Sequence, residues 1–151
     1  MVKPETVSVA GGWYVAFCGC GRAHWYDRFT RDGFRHVVAF GWIEDARLDE
    51  GGQWLWIDPS TFGLNVALLN HDEMDWMLAC LSQRDRATFV FVPHGRPPVP
   101  CRVPRFGAYC VSEIERLLGL APRALRPFGL YRRLLALGAE PAFEELTWAE
   151  S

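Results

Sequence analysis

The stretch Gly33-Phe34-Arg35-His36-Val37-Val38-Ala39-Phe40 decides how the rest of the chain is read. Asp32-Gly33 is a turn signal, and the apolar run Phe34 to Ile43 that follows reads as a strand with a histidine at its mouth. Downstream, Glu44 to Gly52 is a polar, acidic loop. Gln53 to Asp58 (Gln-Trp-Leu-Trp-Ile-Asp) is the next strand, stopped by Pro59 and ending on an acid. Gly63 to Leu69 is a third, alternating through Leu64, Val66 and Leu68. Upstream, Trp13 to Cys18 forms a strand introduced by Gly11-Gly12. Together these segments make an antiparallel meander.

Helical periodicity takes over further along. Asn70 is placed to cap a helix over His71 to Gln83, with Met74, Met77, Leu78 and Leu81 on one stripe and Asp72, Glu73 and Asp75 in its first turn. Ala87 to Val92 is an apolar β run. Pro93 to Arg105 holds five prolines and reads as an irregular, extended connection. Tyr109 to Leu118 is a helix with Val111, Ile114, Leu117 and Leu118 toward the core, closed by Gly119. A last helix starts at Pro127 and runs to Gly138. The region His24 to Arg31 is ambiguous, one or two helical turns at most. The expected class is α+β: one antiparallel sheet with helices packed on it, in a single domain over residues 1–151.

Bulk properties narrow the function classes. Half of the 151 residues are hydrophobic and seven are tryptophan, so the chain has ample material for a core and is not a disordered segment. A net charge of −2 rules against a global field for polyanions. The basic residues are one lysine and fifteen arginines. Seven of those arginines lie between Arg102 and Arg133, opposed there by Glu113 and Glu115, which makes a locally positive end. Without a recognised nucleic-acid motif, that cluster does not predict nucleic-acid binding. The Met-Val-Lys-Pro-Glu-Thr start lacks a signal peptide's apolar run, and no stretch approaches membrane-spanning length. Five cysteines, an odd number, then suggest free thiols in a reducing cytoplasm.

Three residues carry the chemistry. His36 begins one strand, Asp58 ends the next, and Cys110 falls just inside a helix start. There the unpaired N–H groups and the helix dipole favour a thiolate. Strand alternation puts His36 on a face with Val38, Phe40 and Trp42, and Asp58 with Trp56 and Trp54. A hairpin centred near Arg47 would set His36 directly opposite Asp58. The acid would then orient the imidazole, and the imidazole would serve the thiol, as in cysteine hydrolases. Each residue also has a plainer reading: a small core residue for Cys110, a structural histidine, and an ordinary Asp-Pro turn starter.

These motifs resemble the circularly permuted branch of the NlpC/P60-like, papain-like superfamily, which includes lecithin:retinol acyltransferase-like proteins. The resemblance rests on His36-Val37-Val38-Ala39-Phe40, Trp54-Leu55-Trp56-Ile57-Asp58 and Tyr109-Cys110-Val111-Ser112-Glu113-Ile114. Tyr109 stands where that branch carries Asn, and Asp58 where it usually carries another histidine. The chain is also similar to small phage and bacterial proteins through Trp25 to His36, Trp54 to Pro59, Cys110 to Gly119 and Pro127 to Leu134. The resemblance implies a permuted papain-like fold and a cysteine peptidase, amidase or acyltransferase with Cys110 as nucleophile, His36 as base and Asp58 as orienter. Its substrate would be an amide, ester or thioester, a cell-wall peptide foremost.

Tyr109, Trp25 and Arg105 are the candidate substrate contacts, with Trp42 and Trp54 as further rim residues. This chemistry needs no cofactor. A zinc site from Cys18, Cys20 and His24 lacks the second ligand pair that zinc sites normally have. The competing class is an inactive module of the same fold, an assembly piece within a phage particle, with a protein as its partner.

Overall fold

The computed structural model describes residues 9–19, 30–45, 47–48, 51–60, 63–93 and 109–143. Its strands are β1 (Gly12–Cys18), β2 (His36–Glu44), β3 (Gly52–Ser60), β4 (Gly63–Leu69), β5 (Thr88–Pro93) and β6 (Glu140–Ala142). Its helices are α1 (His71–Ala79), α2 (Tyr109–Leu117) and α3 (Pro127–Ala136). The six strands form one antiparallel sheet in the order β4-β3-β2-β1-β5-β6. The expected α+β class is therefore present, and its first four strands are the expected meander. β5 adds to the free edge of β1. The three-residue β6, centred on Pro141, has too little pattern to be legible in sequence.

Helices cover both faces of the sheet. On one, α2 packs against β2 and β3, and α3 against β1 and α2. Val15, Phe17, Val37, Ala39, Ile57 and Val90 meet Val111, Ile114, Leu118, Leu130 and Leu134 there. On the other, Ala16, Val38, Phe40, Trp56 and Phe89 meet Met74 and Leu81. The alternation of β1 and β2 residues between the two layers is the period of two made visible. Phe40, fully buried between stacked Tyr14 and Trp56, contributes about 1.5–3 kcal/mol by burial alone.

Local chemistry sets the boundaries. Asn70 accepts from the Glu73 amide while the Glu73 carboxylate accepts from the Asn70 amide, both at 2.9 Å, a complete capping box. The helix it opens ends at Ala79, short of Gln83, and continues as a π-helical turn over Cys80–Arg84. Gly119, at φ 71°, ends α2 by letting the Leu120 amide reach the Glu115 carbonyl at 2.8 Å. Gly33, at φ 81°, turns the chain into β2. The extended reading of Pro93 to Arg105 and the helical turns of His24 to Arg31 fall largely outside the described residues.

The β2–β3 hairpin departs from expectation in register. Its ladder runs from Glu44↔Gly52 to Ala39↔Ile57, so Phe40 faces Trp56 rather than Trp54. The seven-residue loop 45–51 is closed by the Asp45 amide on the Gly51 carbonyl at 3.0 Å, and its centre is Leu48 rather than Arg47. Moving the centre by one residue moves the pairing by two, which keeps every side chain on its expected face.

The same two strands part at their other end. Beyond Ala39↔Ile57, residues His36, Val37 and Val38 pair with β1, while Asp58, Pro59 and Ser60 pair with β4. Pro59 does not stop β3, as the sequence reading expects, because it stands where the strand has one ladder to supply instead of two. The sheet is thus forked between His36 and Asp58.

Candidate active site

At the fork, His36 Nε2 and Asp58 Oδ1 lie 2.6 Å apart. This is a short, charge-assisted contact. The direct opposition expected from sequence is replaced by a diagonal one, with the imidazole reaching across the gap where the strands have separated. Both side chains keep part of their surface, 24% for His36 and 33% for Asp58.

Cys110 arrives from the helical layer. It is the second residue of α2, four before Ile114 and eight before Leu118, so it shares their sheet-facing side. By alternation His36 belongs to the opposite layer, since its ladder partner Cys18 packs with Val38 and Phe40. The fork leaves room for their meeting: beyond Ala39↔Ile57 β2 and β3 no longer pair, so the imidazole at the strand end can reach through the gap toward α2. Asp58 occupies Nε2, which leaves Nδ1 as the nitrogen available to a second partner.

The electrostatics of the ring register all three groups. Burial disfavours the charged imidazole and is the largest influence. Hydrogen bonding to Asp58 and to the Cys110 sulfur, with electrostatic attraction toward both, outweighs it. Together they raise the His36 pKa from 6.5 to about 10, so the ring is cationic at neutral pH. Cys110 itself is 8% exposed, and its backbone lies in the first turn of α2, where amides lack intrahelical partners.

The structure thus brings His36, Asp58 and Cys110 together. Tyr109, half-buried, is adjacent to Cys110 at the head of α2. Trp25, Arg105, Cys20 and His24 lie outside the described residues. Trp42 and Trp54 are not at the rim. They gather around His71, with Trp42 stacked on its ring at 4.8 Å and Trp54 Nε1 donating to Nδ1 at 3.4 Å. Six residues of strand separate Trp42 from His36, about 20 Å along β2. Cys18 is buried with its sulfur 3.8 Å from the His36 carbonyl oxygen.

One group escaped the sequence reading. Glu115, fully buried, accepts from the Arg123 amide at 2.9 Å, from the Ala124 amide at 3.1 Å, and from the Arg133 guanidinium. Arg133 also donates to the Ala121 carbonyl at 2.8 Å. Arg116, 3% exposed, pairs with Glu113 at 3.0 Å. Two of the seven arginines counted toward a positive end are therefore internal braces. The signal available in sequence was Glu115 inside an otherwise apolar helix face, next to Ile114.

Comparisons with protein-family models, curated proteins and solved structures find no match to this chain.

Proposed function

We propose that the chain is a cysteine hydrolase or acyltransferase of papain-like chemistry, acting on an amide, ester or thioester. The observation that carries this reading is one ring with two partners: Asp58 at 2.6 Å on Nε2 and Cys110 acting on the same imidazole. A cationic ring beside a thiol is the pairing that favours a thiolate nucleophile.

In the proposed cycle the Cys110 thiolate attacks the acyl carbon and the carbonyl π pair moves to oxygen. The Cys110 backbone N–H is one candidate donor to that oxyanion. As the tetrahedral species collapses, the bond to the leaving nitrogen, oxygen or sulfur breaks, and the leaving group takes the His36 proton. Neutral His36 then removes a proton from water or another acceptor, which attacks the acyl-enzyme. The acid or transferred ester departs and the thiolate–imidazolium pair is restored. Asp58 holds the ring in place throughout and stabilises its charge. With the thiol recessed and the other two side chains partly open, the acyl group would enter from the His36–Asp58 side. A peptide is the preferred substrate, on the motif resemblance alone, as is the permuted papain-like topology.

Iodoacetamide tests the reading. At neutral pH, Cys110 should be alkylated at least tenfold faster than Cys18 or Cys80, and His36→Ala should remove that advantage. A panel of thioester, ester and peptide substrates should show turnover that Cys110→Ala abolishes.

The second reading, an inactive assembly module of the same fold, is favoured by the 8% exposure of Cys110 and its place in the core cluster. Slow, uniform alkylation that ignores His36→Ala would establish it over the first.

A further inference from the structure

We infer that a second site, separate from Cys110, binds a small phosphomonoester joined to an apolar ring. It is an open cavity of about 630 Å³ between the turn leading to β2 and the start of α3, lined in part by Arg31, Phe34, Arg123, Leu125, Phe128 and Gly129. That volume suits a single small ligand.

The lining combines two features that such a ligand would need. Four arginines reach it (Arg31, Arg123, Arg126 and Arg133), and among its described lining residues there is no carboxylate. Arg133 is committed to Glu115, so Arg31 and Arg123 carry the argument. The Arg31 guanidinium carbon sits 4.4 Å from the centroid of the Phe128 ring, a cation–π contact that holds the charge at the cavity wall. Arg123 is exposed, and its backbone amide, not its side chain, is the part tied to Glu115. Phosphate oxygens are among the anionic groups that guanidinium forks hold most strongly.

The rest of the wall is apolar. Phe34 and Phe128 meet edge to face at 5.1 Å, and Leu125 keeps 61% of its surface exposed although it is a large hydrophobic residue. Gly129 adds open space, since a Cβ built there would meet only the Ala124 methyl, at 4.0 Å. A bare inorganic anion would leave these surfaces wet, and an uncharged ring would leave the arginines unanswered. The amides of Phe128 and Gly129, in the first turn of α3 and without a side-chain cap, add to the pull on an anion already argued from the arginines.

The test is calorimetric titration of the full chain with adenosine monophosphate, with adenosine and inorganic phosphate as the two halves. The monophosphate should bind saturably, and each half at least about tenfold more weakly, the worth of a lost charge-assisted or stacking contact. Arg31→Gln and Arg123→Gln should each weaken it about tenfold, Arg123→Gln without moving the thermal midpoint. Gly129→Leu, whose Cβ would meet only the Ala124 methyl, should crowd the cavity and block it. Absence of saturable binding at millimolar monophosphate would overturn the inference. So would adenosine binding as tightly as the monophosphate, or affinity indifferent to Arg123→Gln and Gly129→Leu together. None of these readouts depends on the chemistry of Cys110.

Discussion

Asp58 and Glu115 each hold one basic side chain, yet their surroundings give the two carboxylates opposite roles. Glu115 has no exposed surface, and two backbone amides and Arg133 satisfy its oxygens. It ties α2 to the segment 120–124 and to α3. Asp58 keeps a third of its surface and meets a histidine that is itself shared with a thiol. A charge saturated on every side by main chain and arginine stabilises structure. One that leaves its partner reachable and still titratable suits the chemistry we propose.

The sharpest way to break this contrast is Glu115→Ala, which strands Arg133 and two amides in the interior. Unfolding free energy from urea titration should fall by about 3–5 kcal/mol, the usual cost of removing one partner from a buried pair. Asp58→Asn should do the reverse. Its stability should fall by less, about 1–2 kcal/mol, the worth of a charge-assisted hydrogen bond that solvent partly screens. The proposed turnover, followed on the best substrate of the panel, should drop about 10²-fold or more as the ring loses its anchor. A stability loss in Asp58→Asn as large as that in Glu115→Ala would erase the distinction.

A pH series sharpens it further. His36 binds its proton more tightly in the folded chain than unfolded, so its contribution to stability is complete below about pH 6.5. That contribution is lost as pH rises through about 10. Urea midpoints of the parent and of His36→Gln should therefore converge between those limits. The smallest effect belongs to a third pair: Arg47 donates to Asp45 at 2.8 and 3.0 Å on the open hairpin loop. Those hydrogen bonds hold the Asp45 carboxyl below its ordinary pKa, but solvent screens the pair. Arg47→Ala should leave the urea midpoint unchanged.

Much of the candidate site was legible because each of its residues sits at or near an element end that local chemistry announces. Asp32-Gly33 turns the chain just before His36, and Ile57-Asp58-Pro59 signals a strand nearing its limit. The amphipathic run Val111, Ile114, Leu118 places Cys110 at a helix start facing the sheet. The even register shift did no damage to the facial assignment, since the strand period is two. Less was legible where a contact joins segments with no local signature. The buried duty of Glu115 depends on how 120–124 folds back, and the arginines of the second site converge from residues 31 and 123–133.

Alternation, capping and turn residues determine most strands, the three helices and the layer to which each side chain belongs, because those preferences act over a few neighbouring residues. Whether β2 and β3 stay paired to their ends is not such a property. It is settled by competing ladders, with β1 claiming one strand and β4 the other past Ala39↔Ile57. That separation lets an imidazole from one layer meet a sulfur from the other, a decision made only when the whole sheet has assembled.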